Sequence, residues 1–153
     1  MAISLIDVDK FNLSDYIFLE NKNDLSYYMS RTRPFNYDEK NQFTLFWKYI
    51  YIQNVPIGAL WIEKETEDSQ TATLGIFISD EVNLCKGLGT KAIELAITQA
   101  KEKINITKIE LNVRDSNTRA IRCYEKCGFS ESNRFIKNYL NEDVTVIVMS
   151  RIL

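Results

Sequence analysis

The chain has 153 residues, 45% of them hydrophobic and 26% charged, and a formal net charge of −2. That length and apolar content suffice for one domain, residues 1–153, with a real core, and the charge gives no reason to expect a nucleic-acid partner. There is no histidine, so the usual base near neutral pH is missing, and the three cysteines form no C-x-x-C pair that would suggest a disulfide framework or a metal site. Ile3 to Val8 alternates weakly and is read as a first strand. From Ser14, a candidate N-cap, to about Met29 the pattern predicts one or two short helices broken near Asn21 to Asp24. Pro34 disfavours helix at Arg33, so Arg31 to Pro34 is a loop, and Tyr37 to Phe43 is expected to form a short helical piece. Phe46 to Gln53 and Ile57 to Lys64 are strand-like and joined by a hairpin over Asn54-Val-Pro-Ile57. A third strand, Thr71 to Ser79, completes an antiparallel meander. A long helix follows to about Lys103, with Ala92, Ile93, Ala96, Ile97 and Ala100 at helical spacing. Lys108 to Val113 reads as a buried strand and Asn117 to Cys127 as a helix. Phe129 to Tyr139 and Val144 to Leu153 close the chain as a strand pair around Asn141-Glu-Asp143.

Neither an N-terminal signal-like run nor an apolar stretch of membrane length is present, so the chain is expected to start near Met1 and remain in the cytoplasm, with no membrane partner. Residues 1–69 carry 7 Lys+Arg against 11 Asp+Glu, leaving 12 against 10 for residues 70–153. A basic second half suits an anionic ligand, and an acidic first half suits a cationic one.

The stretch with most chemical content is Leu84-Cys-Lys-Gly-Leu-Gly-Thr90, between the third meander strand and the long helix. Gly87 and Gly89 let the backbone turn its N–H groups toward one point, and the helix N-terminus adds unpaired donors and a positive dipole end, a combination that favours a phosphate. A P-loop needs four residues between its glycines, so it does not fit. Gly87-Leu-Gly-Thr-Lys-Ala92 matches the G-x-G-x-x-A of dinucleotide folds, with Glu110 roughly 20 residues on. That fold, however, places the first glycine directly after the strand, whereas here Asp80 to Lys86 intervene.

A third phosphate-binding pattern fits the spacing. Leu74 to Thr90 resembles the acetyl-CoA motif of the GNAT acyltransferases, a strand followed by [Q/R]-x-x-G-x-[G/A] and a helix. Leu111-Asn-Val-Arg-Asp-Ser-Asn-Thr-Arg-Ala-Ile-Arg-Cys-Tyr-Glu-Lys-Cys-Gly-Phe129 resembles the second signature of that superfamily, V-x-x-x-N-x-x-A-x-x-x-Y-x-x-x-G-F. The resemblance implies a single-domain α/β (α+β) fold, a mixed and mostly antiparallel sheet of six or seven strands flanked by helices and splayed between the fourth and fifth strands.

It also implies the chemistry: direct transfer of an acetyl group from acetyl-CoA to an amine-bearing small molecule or a protein N-terminus, with no metal. Phe77 and Ile78 would bond the cofactor arm through backbone. Lys86, Gly87, Leu88, Gly89 and Thr90 would hold its pyrophosphate, with Leu84 standing where the family usually has Gln or Arg. Asn117 would contact the arm. Tyr124, seven residues on and so on the same helix face, would bind the cofactor and act as general acid, because a phenol with pKa near 10 can protonate a leaving thiolate. The Ile78 N–H would polarise the thioester oxygen. The base is open: Thr73 stands where related enzymes carry a strand Glu, and Glu81 is the acid closest in sequence to the bend. Phe35, Tyr37, Phe43 and Trp47 lie where the family builds its acceptor wall, although aromatics there are more often core. The chain is expected to be a monomer or homodimer. The competing expectation is a non-catalytic acetyl-CoA sensor or interaction module.

Overall fold

The computed structural model describes residues 2–22, 29, 31–35, 37, 41–79 and 87–153. Seven strands form one sheet in the order β1-β2-β3-β4-β5-β7-β6: β1 Ile3–Asp7, β2 Leu45–Ile52, β3 Val55–Lys64, β4 Thr71–Ile78, β5 Lys108–Arg114, β6 Ser130–Tyr139 and β7 Glu142–Ile152. Three helices accompany it among the described residues, α1 Leu13–Lys22, α2 Leu88–Lys103 and α3 Thr118–Lys126. Every neighbouring pair is antiparallel except β4 and β5. The expected mixed, mostly antiparallel fold is what forms.

Side-chain alternation divides the sheet into two faces. On one, Leu60, Ile62, Leu74, Ile109 and Leu111 pack against Ala92, Ile93, Ala96 and Ile97 of α2, with Ala120, Ile121, Cys123 and Tyr124 of α3 at the margin. The small residues of α2 let the helix lie close over β-branched neighbours, and burial of this stripe supplies most of its stability. On the other face, Tyr16 and Leu19 of α1 cover Trp47, Tyr49, Ala59, Trp61 and Phe77. The polar atoms there are mostly satisfied: Trp47 Nε1 donates to the Tyr16 hydroxyl (3.2 Å), which in turn donates to the Thr32 carbonyl (2.5 Å).

Local departures from expectation sit at element ends. The β2–β3 turn is Gln53–Asn54, with φ of 49° and 66°, and not the Asn54 to Ile57 stretch; Val55 and Pro56 already belong to β3. Pro56 is tolerated because the ladder shifts register between Ile50 and Tyr51, leaving Ile57 bulged. The closing hairpin turns at Leu140–Asn141 (φ 51° and 66°), one to two residues before the predicted site. Both turns hold two left-handed residues, the backbone that matches strand twist. α1 begins at Leu13, one residue before the predicted cap Ser14. Of the piece predicted as helical over 37–43, residues 38–40 lie outside the described residues, and 42–44 form a turn.

Leu140 is 77% exposed and pays a left-handed backbone penalty with nothing to bury in return. Leu140→Asn is expected to raise stability by about 0.5–1 kcal/mol, read as a higher urea midpoint with an unchanged m-value.

Candidate functional site

β4 and β5 pair over three rungs only, Thr71↔Lys108, Ala72↔Ile109 and Thr73↔Glu110. Beyond Thr73, β4 continues to Ile78 and β5 to Arg114, each still paired with its other neighbour, so the sheet opens into a slot between them. Which amides face that slot follows from the β3–β4 register. The Ser79 N–H donates to Ile57 O (2.9 Å), and the Phe77 carbonyl lies against Gly58, where a Cβ would come within 2.1 Å of it. Phe77 is therefore committed to β3, and strand alternation turns the backbone groups of Leu74, Ile76 and Ile78 toward the slot. Of the two residues expected to offer backbone there, Ile78 faces the slot and Phe77 faces β3; Ile76, not singled out in the sequence, also faces the slot. Only the pairing register distinguishes them.

α2 is the described element that links β4 to β5 in the chain. Gly87 is its N-cap in the left-handed region (φ 73°), makes no side-chain cap bond, and a Cβ there would meet nothing among the described residues within 4 Å. The first turn carries no acidic residue, so its orphan N–H groups and positive dipole end are available to an anion. Gly89 lies close to α3: a Cβ there would sit 3.2 Å from Cys123 Sγ. Leu88 is buried in the core and contributes backbone alone. Thr90 turns its hydroxyl to Cys123 Sγ (3.4 Å), and its carbonyl lies 3.9 Å from Cys127 Sγ. Lys86, Leu84 and Glu81 lie outside the described residues.

The Gly89–Cys123 contact brings α3 against the first turn of α2 and puts Tyr124 one residue away from it. The Tyr124 ring packs against Phe129 at 6.3 Å between centroids, and its hydroxyl has no hydrogen-bond partner among the described residues. Burial, and next the charges of Cys123 and Cys127, push the phenol well above its usual range, so it keeps its proton through the neutral region. Asn117 is not a helix-face residue as the seven-residue spacing suggested. It is the N-cap of α3, its Oδ1 accepting from Ala120 N at 3.3 Å. The cap leaves its side-chain amide N–H groups as the part that could reach a ligand.

Cys123 is half-buried, and its thiol is held down to about 6, chiefly by the neighbouring Cys127 side chain and, against some desolvation, by Thr90 and Lys126. Cys127 is pushed up by the same contact. The shift favours the thiolate over the thiol near neutral pH. Alkylation of Cys123 by iodoacetamide is expected to reach its plateau rate near pH 7, where an ordinary thiol with pKa about 8.5 is still climbing. Site-resolved mass spectrometry checks this.

On the acceptor side, Trp47 is core, whereas Phe35, Tyr37 and Phe43 are exposed at 75%, 37% and 53%. The Arg31 guanidinium lies 3.5 Å from the Phe35 ring centroid and bonds Glu63 at 2.8 Å; Arg33 bonds Glu20 at 2.7 Å. Among the described residues no group of His, Cys, Asp and Glu is arranged to hold a metal, and no helix is long and apolar enough to cross a membrane.

A mostly antiparallel sheet that parts beside a glycine-capped helix N-terminus defines an acyl-CoA-binding transferase fold. The chain belongs to the acetyltransferase (GNAT) family, whose model matches residues 9–129. An aminoglycoside N(6′)-acetyltransferase type 1 of Klebsiella pneumoniae is 39% identical over 72 residues, which are 47% of this chain and 35% of that protein. A kanamycin resistance protein of Rhizobium radiobacter is 39% identical over 69 residues, 45% of this chain and 63% of that one. These matches thus span less than two thirds of either relative. Among solved structures, the spermidine N-acetyltransferase of Vibrio cholerae with CoA and spermine superposes with a TM-score of 0.78 at 20% identity, covering 98% of this chain and 95% of that one. A ribosomal L7/L12 α-N-protein acetyltransferase in complex with CoA gives 0.80 at 13% identity, covering 100% and 95%.

Proposed function

We propose that this chain is a cytoplasmic, single-domain acetyl-CoA-dependent N-acetyltransferase acting on a primary amine, either of a small cationic molecule or of a protein N-terminus. The observation that carries the reading is the slot that opens after Thr73↔Glu110, together with a first turn of α2 that has no side-chain cap bond among the described residues. Acetyl-CoA supplies an activated acyl group on a thiolate leaving group. Gly87, Leu88, Gly89 and Thr90 hold its pyrophosphate through N–H groups, with Lys86 adding charge. Gly87 holds a left-handed backbone, φ 73°, that an L side chain rarely adopts. Ile76 and Ile78 bond the extended arm as an added strand would, and the Ile78 N–H is aimed at the thioester oxygen. The Asn117 amide steadies the arm. Tyr124 returns a proton to the departing sulfur.

The incoming ammonium must first lose a proton. Glu110 is the single carboxylate that β4 and β5 contribute, and it stands on the last paired rung, on the face opposite α2. It is the group we assign to accept that proton through water. Its carboxylate lies 3.1 Å from Lys108 Nζ. One feature favours the competing sensor reading: beyond that rung the strands offer Gly75 and Asn112 to the acceptor face, neither of which can act as a base.

Calorimetric titration with acetyl-CoA, followed by thiol release against a panel of an aminoglycoside, a polyamine and an N-terminal peptide, tests the proposal. Binding plus acceptor-dependent thiol release is the expected result. Binding with no release from any acceptor identifies a sensor, and absence of binding refutes both.

A further inference from the structure

Two sulfurs on α3 stand against the first turn of α2. Cys123 Sγ lies 3.4 Å from the Thr90 hydroxyl, and Cys127 Sγ lies 3.9 Å from the Thr90 carbonyl. The two thiols are also in hydrogen-bonding contact with each other. Direct acetyl transfer uses neither sulfur, so the pair is chemistry that the proposed reaction leaves unassigned.

The two thiols are unequal. Cys123 is half-buried and opens onto Gly89 and Thr90, which are half-buried as well, whereas Cys127 is 2% exposed. A small solute therefore meets Cys123 first. Contact with Cys127, then Thr90 and Lys126, favours the thiolate at Cys123, while the same contact and burial keep the proton on Cys127. An accessible thiolate with a second thiol in contact is the arrangement that a two-electron oxidant turns into a disulfide.

The backbone permits that bond and is changed by it. Residues four apart on a helix have Cα atoms about 6 Å apart, inside the range a disulfide spans. Their Cβ atoms, however, stand roughly 5–6 Å apart, and a disulfide needs about 3.5–4.5 Å. Bridging must therefore tighten the last turn of α3. That turn is partly tightened already, because the Cys127 N–H is shared between the Cys123 carbonyl (3.1 Å) and the Tyr124 carbonyl (3.0 Å), the second being a 3₁₀ span. Further tightening draws both sulfurs off Thr90 and turns the segment that carries Tyr124.

We propose that Cys123 and Cys127 form a peroxide-oxidised thiol pair, and that the bridge between them closes the cofactor site by disturbing Thr90 and Tyr124. The closure rests on the acetyltransferase reading of the first turn of α2; the bridge does not. The Cys123 thiolate attacks one oxygen of hydrogen peroxide. An S–O bond forms, the O–O bond breaks, and the departing hydroxide takes up a proton to become water. The sulfur is oxidised by two electrons and the peroxide is reduced by two. The Cys127 sulfur then attacks the sulfenic sulfur of Cys123: an S–S bond forms, the S–O bond breaks, and the hydroxyl leaves as water with the Cys127 proton.

The test uses the full chain, reduced and freed of reductant, then treated with hydrogen peroxide. Cleavage after Lys126 puts the two cysteines on separate peptides, so mass spectrometry of an unreduced digest reads a bridge directly. Acetyl-CoA, which has no free thiol to reduce a bridge, is titrated by calorimetry before oxidation, after it, and after dithiothreitol. The expected product is a Cys123–Cys127 bridge, two hydrogens lighter than the reduced pair. Oxidation is expected to weaken acetyl-CoA at least about tenfold, the effect of losing one hydrogen bond to a charged group, and dithiothreitol to restore it. Reduced Cys127→Ser is expected to bind acetyl-CoA within about twofold of the parent and, once oxidised, to stop at a Cys123 sulfenic acid that dimedone captures. Oxidised Cys123→Ser is expected to capture no dimedone at Cys127. A bridge from Cys123 to Cys85, a Cys123 sulfenic acid that persists unbridged in the parent, or first oxidation at Cys127 overturns the inference. A bridged chain that binds acetyl-CoA as tightly as the reduced one also overturns it, and in each of these cases binding by the reduced chain leaves the acetyltransferase reading standing. A reduced chain that fails to bind acetyl-CoA brings down that reading and the closure together.

Discussion

Tyr124→Phe is expected to lower turnover at saturating acetyl-CoA and acceptor by about 100-fold, the low end of what a positioned proton donor contributes, while acetyl-CoA affinity stays within about twofold. The substitution removes one oxygen that bonds to nothing else among the described residues and leaves the ring against Phe129, so packing is retained. The direction of the phenol's shift sharpens the expectation. Burial and the two neighbouring sulfurs hold the proton on, so the acid form persists and no alkaline loss of activity below about pH 10 should come from this group. The same shift makes it a weaker acid than a free thiol. Proton delivery must then accompany C–S cleavage, when the sulfur is most basic, instead of preceding it. A solvent isotope effect on turnover that disappears in Tyr124→Phe would support this, and unchanged turnover would remove Tyr124 from the chemistry.

A second large effect is expected from one methyl group. Gly75→Ala should destabilise the fold by about 3 kcal/mol, because the new Cβ meets indole Cζ2 and Cε2 of Trp61 at 2.1 and 2.2 Å. The ring is rigid, almost fully buried, and held between β4 and the Arg31 stack, so it cannot give way as a flexible side chain would. Urea unfolding monitored by circular dichroism measures the loss. Trp61→Val in the Gly75→Ala background should recover part of it, since the two residues contest one volume; strictly additive effects would show that the clash is relieved elsewhere.

These two residues illustrate what could be read early and what could not. The signature that contains Tyr124 was legible because it is local: Asn117, Tyr124, Gly128 and Phe129 lie within one helix and its flanks. The strands of the meander, α2 and β5 were legible for a similar reason, since burial of one face imprints a period of two or 3.6 on neighbouring residues. Both hairpin turns were misplaced by one or two residues. Gln53–Asn54 and Leu140–Asn141 contain no glycine or proline, while Pro56 drew attention to a site the bulge accommodates. Asn117 was given to a helix face because spacing does not say where the first helical hydrogen bond forms.

The amino-acid order alone was enough to establish the elements, the family signatures and the glycine bend before α2, because each is written in residues a few positions apart. Tertiary structure alone decided that β4 stops pairing with β5 after Thr73, that Ile76 and not Phe77 faces the opening, that Cys123 meets Thr90, and that Trp61 lies over Gly75 with its N–H unspent. All of these depend on contacts between segments distant in sequence. Register and close packing are properties of two surfaces meeting, and neither surface carries the answer by itself.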